Sequence, residues 1–355
     1  MSIPSVLFVP ASGPTGSGEY YRCLAIARAL HRRAAGYEIH FVHHEAARVE
    51  HDPAFSYHPL ADTPTRQTAA VLTLLQQLRP ALVVFDSAGR IRQFRAARQA
   101  GAATVWISDR PNKRRRGFRL RAMRQFDLHL IAAPGVAAPR LSILERLKRR
   151  LVPGVEVRFF SGIAPEALPA DRAALLQSLG LTADGFLLFV AGGGGYHHQG
   201  RAVPEILVDA ALEALRRTGL QSVVVMGPQY RGSLHHHEVV RIVPQLETEA
   251  LGLLLSASRA AVIGAGSMMT TQALAAGVAV VLVPAGGDDQ PARIRYMSAH
   301  GLALEAPLQP EAIAAAVARL AGSAALRQQQ ATAAENHGLR NDVGAVADHL
   351  LQLID

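Results

Sequence analysis

One cysteine, Cys23, is all the thiol chemistry this chain carries. That excludes an internal disulfide framework and any metal site built from cysteines. Aromatic residues make up only 5% of the sequence and do not interleave with its charges, so a surface that stacks nucleic-acid bases is not expected. No stretch reaches about 18 consecutive apolar residues, the length a bilayer-spanning helix needs. The opening run SIPSVLFVPASG is short and lacks a basic flank, and is expected to form a first strand rather than a signal sequence. These absences point to a cytoplasmic protein, or one peripheral on the inner membrane face. The phosphate-loop pattern G-x-x-x-x-G-K-[ST] and the dinucleotide glycine spacing are both missing, which disfavours an ATPase or a simple dehydrogenase.

What is present is an ordinary α/β composition. With 355 residues, 49% hydrophobic and 18% charged, the chain can bury a large core and is long enough for two domains. Its net charge of +9 suits an anionic partner. The excess of Arg over Lys fits a compositional bias equally well. Short apolar runs alternate with helical periodicity twice over. Strands are expected over 6–9, 39–42, 82–85, 104–107 and 128–131, with helices over 20–33, 65–78 and 90–99 between them. A second series places strands over 186–190, 222–226, 241–243, 260–263, 278–283 and 303–305, and helices over 203–218, 247–256, 268–276, 293–300 and 310–321. Repeated βαβ alternation predicts two doubly wound parallel sheets. The expected boundary is the Gly/Pro-bearing stretch 161–169, with a helix over 171–179 ahead of the second sheet.

The segment 261–291 carries the most chemistry. An apolar strand stops at Gly264-Ala265-Gly266, and a helical pattern restarts at Ser267, a candidate N-cap. A helix opening after such a turn offers unpaired N–H groups and the positive end of its dipole to a phosphate or carboxylate. A second apolar strand then leads to Gly286-Gly287-Asp288-Asp289-Gln290. In open α/β sheets ligands sit beyond the carboxyl ends of strands, so Asp289 and Gln290 are placed to hydrogen-bond sugar hydroxyls. Glycine-rich turns also open each half: Gly13, Gly16 and Gly18 before the helix YYRCLAIARAL, and Gly192, Gly193, Gly194 and Gly195 after the strand FLLFV. The four consecutive glycines read as a diphosphate cradle.

TGSGEYYRCLAIARAL, the GGGG turn, and the run from GAGSMMTTQALAAG through VVLVP to DDQ together resemble the signatures of GT-B nucleotide-sugar glycosyltransferases. Within these the chain is most similar to the bacterial group holding the lipid II-forming N-acetylglucosaminyltransferase and the pseudaminic-pathway UDP-sugar hydrolase. The resemblance implies two Rossmann-like domains facing an interdomain cleft: 1–163 binding the acceptor and 164–355 binding the donor, the final helix free to pack back on the first. It implies transfer of a hexosyl or N-acetylhexosaminyl group, with inversion, from a UDP-linked donor, without cofactor or metal. By position, Gly16 and Gly18 join the donor-binding residues. Gly193, Gly194, Gly195, Gly266 and Ser267 surround the diphosphate, Thr270 supports the phosphate side, the backbone near Leu246 flanks the base, and Asp289 and Gln290 contact the sugar. Gln272 replaces the glutamate that usually holds the ribose, keeping an acceptor and adding donors.

Glu19 stands where the family has a histidine base. A carboxylate can still take a proton from an acceptor hydroxyl as that oxygen attacks the anomeric carbon; equally, Glu19 can serve only as a favourable charge at a helix start. Asp109, after the strand TVWIS, is the second candidate base, and Asp86 is similarly placed. Basic residues cluster in a loop from Lys113 to Arg121 and in the amphipathic segment 141–151, suiting an anionic or lipid-linked acceptor or an acidic membrane surface. His197-His198 and His235-His236-His237 lack metal-ligand spacing, although His197 or His198 can approach donor phosphates. Alternatives on the same fold are UDP-sugar hydrolysis or epimerisation, or silent nucleotide-sugar binding.

Overall fold

A computed structural model describes residues 3–11, 13, 17–47, 49–135, 138–166, 169–234 and 239–354. The chain forms two compact units, Met1–Pro165 with Asp342–Asp355, and Glu166–Asn341.

The first unit is built on a parallel seven-stranded sheet: β1 (Ser5–Pro10), β2 (Glu38–His44), β3 (Ser56–Leu60), β4 (Leu82–Asp86), β5 (Ala103–Ser108), β6 (Leu128–Ala132) and β7 (Glu156–Phe160), in the order β3-β2-β1-β4-β5-β6-β7. Alternation along β1 explains why its sequence is uniformly apolar. Val6 and Phe8 enter the core under the helix Gly18–Arg33, while Leu7 and Val9 enter the core on the opposite face. A strand covered on both faces has no polar side to show. The last helix, Val343–Leu351, buries Val343, Val346, Ala347 and Leu350 in the core that includes Leu24 and Leu30 of Gly18–Arg33. Asp342 fastens its start by accepting from the Ser161 amide at 2.7 Å.

The second unit has a parallel six-stranded sheet and a short antiparallel ribbon. Its strands are β8 (Phe186–Val190), β9 (His197–His198), β10 (Arg201–Ala202), β11 (Gln221–Val225), β12 (Val240–Val243), β13 (Ala260–Gly264), β14 (Val280–Val283) and β15 (Leu304–Glu305). The sheet runs β12-β11-β8-β13-β14-β15, and β9 pairs with β10. Leu187 and Phe189 of β8 pack with the helices Val203–Thr218 and Pro310–Gly322, and Phe186, Leu188 and Val190 pack with Thr248–Ala257 and Ser267–Ala275. Two doubly wound parallel-sheet units therefore stand as the sequence predicts.

The sequence pattern misses β3 and β7, the two edges of the first sheet. Edge strands bury less, and neither SYHPL nor EVRFF is an apolar run. Pro59 is tolerated in β3 because an edge needs no second row of hydrogen bonds. The basic stretch from Lys113 is also not a loop: Pro111–Gly117 and Leu120–Met123 are short helices, the first opened by a proline at its start.

Candidate functional site

In the second unit the strand order reverses between β8 and β13, the position at whose carboxyl edge open α/β sheets take their ligands. The turn after β13 ends at Gly266, which is the N-cap of the helix Ser267–Ala275; no side chain caps this helix. Ser267 is thus the first helical residue, exposed, and not the cap expected from its type. Its carbonyl accepts from Thr271 Oγ1 at 2.8 Å. A Cβ on Gly266 would meet nothing within 4 Å, so the helix opening is bare backbone. One turn in, Thr270 is fully buried and its Oγ1 has no hydrogen-bond partner among the described residues. Gln272 is 8% exposed, on the buried side of the same helix.

The four glycines after β8 have a structural cause of their own. Gly192 and Gly194 both take φ of +78°, a region costly for other residues. A Cβ on Gly194 would collide with the Met226 carbonyl, and one on Gly195 would come within 2.9 Å of the Gln229 side chain. The Gln229 amide donates to the Gly193 carbonyl at 2.8 Å. Close backbone packing of the turns after β8 and β11 thus demands glycine here, whether or not a phosphate also approaches. Tyr196 follows, 44% exposed, with its side chain packed beside Gly286.

Beyond β14, Asp289 is the N-cap of the helix Gln290–Ala299 and pairs with Arg293 at 2.5 Å, its side chain 70% exposed. Gln290 Oε1 accepts from the Ala285 amide at 2.9 Å, which turns its amide nitrogen into the group left for a ligand. Arg293 Nη1 also donates to the Ala265 carbonyl at 2.6 Å. Arg293 therefore ties the turn after β13 to the start of the next helix, a role that its bare position on an expected helix does not reveal. Leu246, half-buried after β12, packs against the core on the helix Thr248–Ala257 side. His197 and His198 form one strand of the small ribbon. Gly16 and His235, His236 and His237 lie outside the described residues.

The first unit carries a second constellation at its own reversal point, between β1 and β4. Glu19 lies in the first turn of Gly18–Arg33, whose N-cap, Ser17, makes no side-chain capping bond. Gly18 beside it has open space around its Cβ position. Asp86 ends β4 and is fully buried; Asp109 directly follows β5. Arg22 joins them, donating through Nε and Nη2 to the two Asp86 oxygens at 2.6 and 2.5 Å, and through Nη2 to Asp109 at 3.3 Å. Ser87 Oγ donates to the other Asp109 oxygen at 3.0 Å. Ser87 itself sits at φ +55°, a left-handed position for a residue with a side chain. Lys113 Nζ donates to the Ser87 carbonyl at 2.6 Å, and Arg110 reaches Glu19 at 3.4 Å.

This network separates the carboxyls electrostatically. Glu19 is pushed up from its ordinary value, first by burial and then by the charges of Asp86 and Asp109, against the pull of Arg22. Asp86 is also pushed up, by burial first and then by Asp109, with Arg22 opposing. Burial acts on Asp109 in the same sense, but Arg22, the Ser87 hydroxyl and Arg110 outweigh it and hold its carboxyl low. A lowered Asp109 carboxyl and a raised Glu19 carboxyl in one network are an arrangement suited to proton transfer. Arg22 lies inside the helical motif quoted above, and its i, i+3 spacing from Glu19 puts both on one helix face. Ser87 and Lys113 had no such signal, because only the fold brings the turn after β4 and the helix Pro111–Gly117 together.

No protein-family profile matches this chain. No curated protein is similar to it. Solved structures are similar over the whole chain. They include the spinosyn forosaminyltransferase SpnP (TM-score 0.65, 16% identity, covering 99% of this chain and 100% of that one) and SnogD from Streptomyces nogalater, a glycosyltransferase (0.62, 18%, 100% and 100%). The glycosyltransferase VinC, in complex with dTDP, is a third (0.63, 15%, 99% and 99%). The chain has the fold of these GT-B glycosyltransferases.

Proposed function

We propose that this chain is a glycosyltransferase that moves a sugar from a nucleotide donor to an acceptor hydroxyl. The observation that carries the reading is the strand-order reversal between β8 and β13, where the helix Ser267–Ala275 opens on Gly266 with uncapped, uncrowded backbone. An anion with several oxygens satisfies such a helix start, and a diphosphate is such an anion. Gly193, Gly194 and Gly195 border it, Leu246 flanks the base, Gln272 serves the ribose, and Asp289 and the Gln290 amide serve the sugar. Neutralising the departing diphosphate with fixed N–H dipoles requires no metal.

The motif likeness to the lipid II-forming and pseudaminic-pathway group supports UDP as carrier and a hexose or N-acetylhexosamine as the sugar. In the first unit Glu19 acts as the base for an inverting displacement, and Asp109 is the ionised carboxylate beside it. A UDP concentration of about 100 times its Kd should stabilise the protein by about 2.7 kcal/mol, read as a rise in melting temperature. If neither UDP nor any UDP-sugar moves the melting curve, the donor reading fails. UDP release from a UDP-sugar that requires an added acceptor supports transfer; equal release in water alone assigns hydrolysis instead.

The acceptor is lipid-linked or otherwise anionic in this reading, and the enzyme works at the inner face of a bacterial membrane. What supports this is the helix Ile143–Leu151. Ser142 caps it, with Glu145 completing the reciprocal pair. Ile143, Leu144, Leu147 and Leu151 are all more than half exposed, next to Arg146, Lys148, Arg149 and Arg150. An apolar stripe beside cations lies well in an acidic interface. The protein should sediment with phosphatidylglycerol vesicles and not with phosphatidylcholine ones, and Leu144→Ser with Leu147→Ser should release it. Unchanged sedimentation of that double variant would refute the contact.

A further inference from the structure

Tyr196 follows the glycine turn after β8 and keeps 44% of its surface open. A single exposed tyrosine is ordinary; its surroundings here are not. The Tyr196 carbonyl accepts from the Val203 amide at 3.0 Å, closing the ribbon of β9 and β10 that follows it. The ring itself packs on a glycine. A Cβ on Gly286 would lie 3.5 Å from Tyr196 Cβ, Cγ and Cδ2, and Gly286 takes φ of +129°, where a side chain would be strained. Gly286 thus supports the ring and has no side chain with which to cover it.

Sheet order gives this contact its place. β8 and β14 flank β13, so a ring from the segment after β8 that rests on the turn after β14 spans the carboxyl end of β13. The three turns press together there. A Cβ on Gly264, the last residue of β13, would come within 2.7 Å of Ala285 Cβ and 3.0 Å of the Ala191 carbonyl oxygen. Polar groups border the same turn: a Cβ on Gly287 would stand 2.9 Å from Asp289 Oδ1 and 3.8 Å from Gln290 Nε2. Gln290 Oε1 is taken by the Ala285 amide at 2.9 Å, which leaves Nε2 as the end that donates outward.

An aromatic ring beside a carboxylate and an amide, around one bare glycine pair, matches the two-sided chemistry of a pyranose. Its rim of hydroxyls suits the carboxylate and the amide, and its C–H face suits the ring. A phosphate has no apolar face, and a nucleobase would leave the carboxylate without a partner of its own. We propose, resting on the donor reading above, that Tyr196 is the platform for the apolar face of the donor sugar, with Asp289 and Gln290 Nε2 holding its hydroxyls. Tyr196 then separates a nucleotide sugar from the bare nucleotide.

Calorimetric titration with UDP, UDP-glucose and UDP-N-acetylglucosamine reads that separation. Tyr196→Ala should raise Kd about tenfold for a UDP-sugar, the loss of one aromatic contact, and leave Kd for UDP within about twofold. A distorted turn would weaken nucleotide and nucleotide sugar alike. Tyr196→Phe should bind as the natural protein does. Tyr196→Leu keeps apolar bulk against Gly286 without the flat face and should repeat the split, so the result does not hang on the alanine variant folding. Tyr296, 42% exposed on the helix Gln290–Ala299 beside His300, is the control: Tyr296→Ala should leave every Kd within about twofold. Equal weakening of UDP and UDP-sugar by Tyr196→Ala, or no weakening of the UDP-sugar, overturns the platform. So does a natural protein that binds UDP and neither UDP-sugar, and in all three cases the nucleotide reading stands. Binding of no probe to the natural protein fails the donor reading itself, and the platform with it.

Discussion

Glu19→Gln is expected to lower kcat by about 10²- to 10⁴-fold with the donor Kd unchanged, the usual contribution of a positioned general base. The carboxyl is pushed up by burial and by Asp86 and Asp109, so the acid limb of the kcat profile should lie above the ordinary glutamate range near 4.3. Activity falls as pH drops through that value, because the base must be ionised. The same shift has an opposite signature in stability. A carboxyl whose folded value is raised contributes stability that is complete below its unfolded value and lost as pH rises through the folded one. Glutamine cannot ionise, so the variant should be more resistant to denaturant than the natural protein at pH 7.5, and this advantage should vanish near pH 4. A residue that merely favoured the helix start would behave otherwise, since removing its charge would cost stability at neutral pH. Turnover that survives Glu19→Gln with its acid limb in place would remove Glu19 from the mechanism.

The legibility of this fold in its sequence follows burial. β8, β13 and β14 are covered on both faces, so their residues are apolar without interruption, and such runs are recognisable from type alone. β3 and β7 are edges whose residues compromise between core and solvent, and nothing in SYHPL or EVRFF separates them from loop. The carboxyl-edge turns were legible for the same topological reason: parallel strands must end in turns, and glycine there is visible. Their interpretation was less so. Gly194 is needed because the Met226 carbonyl occupies the space of a side chain, a contact between two turns more than thirty positions apart that no local pattern encodes. Ser267 shows the converse, a good capping type placed one residue too late to cap. The charged network of the first unit depends on residues from two helices, the end of a strand and the turns after β4 and β5. Glu19, Asp86 and Asp109 could be nominated singly, but their separation into raised and lowered carboxyls is set by burial against Arg22, Ser87 and Arg110, which only the assembled sheet edge brings together.

Arg22 and Asp86 supply the largest expected effect on stability. Asp86 is fully buried, Arg22 retains 12% of its side-chain exposure, and two hydrogen bonds of 2.6 and 2.5 Å join them. Asp86→Asn keeps the shape and one acceptor oxygen but removes the charge, leaving Asp109, at 3.3 Å, as the carboxylate paired with Arg22. Removing the closer charge from a buried pair costs up to about 3–5 kcal/mol, to be measured as a drop in unfolding free energy by denaturant titration. Arg22→Met combined with Asp86→Leu should recover most of that loss, because apolar groups of similar volume need no partner. A double variant as unstable as the single one would mean that the pair is worth its own desolvation, and that packing around β4 is not its substitute. The single variant also tests how the network reaches Glu19. Asp86 raises the Glu19 carboxyl and Arg22 lowers it, so removing only the Asp86 charge should move the acid limb of turnover to lower pH. An unmoved limb would show that the Asp86 charge does not tune Glu19, and Asp86 would then be a stabilising group of the sheet edge rather than part of the chemistry.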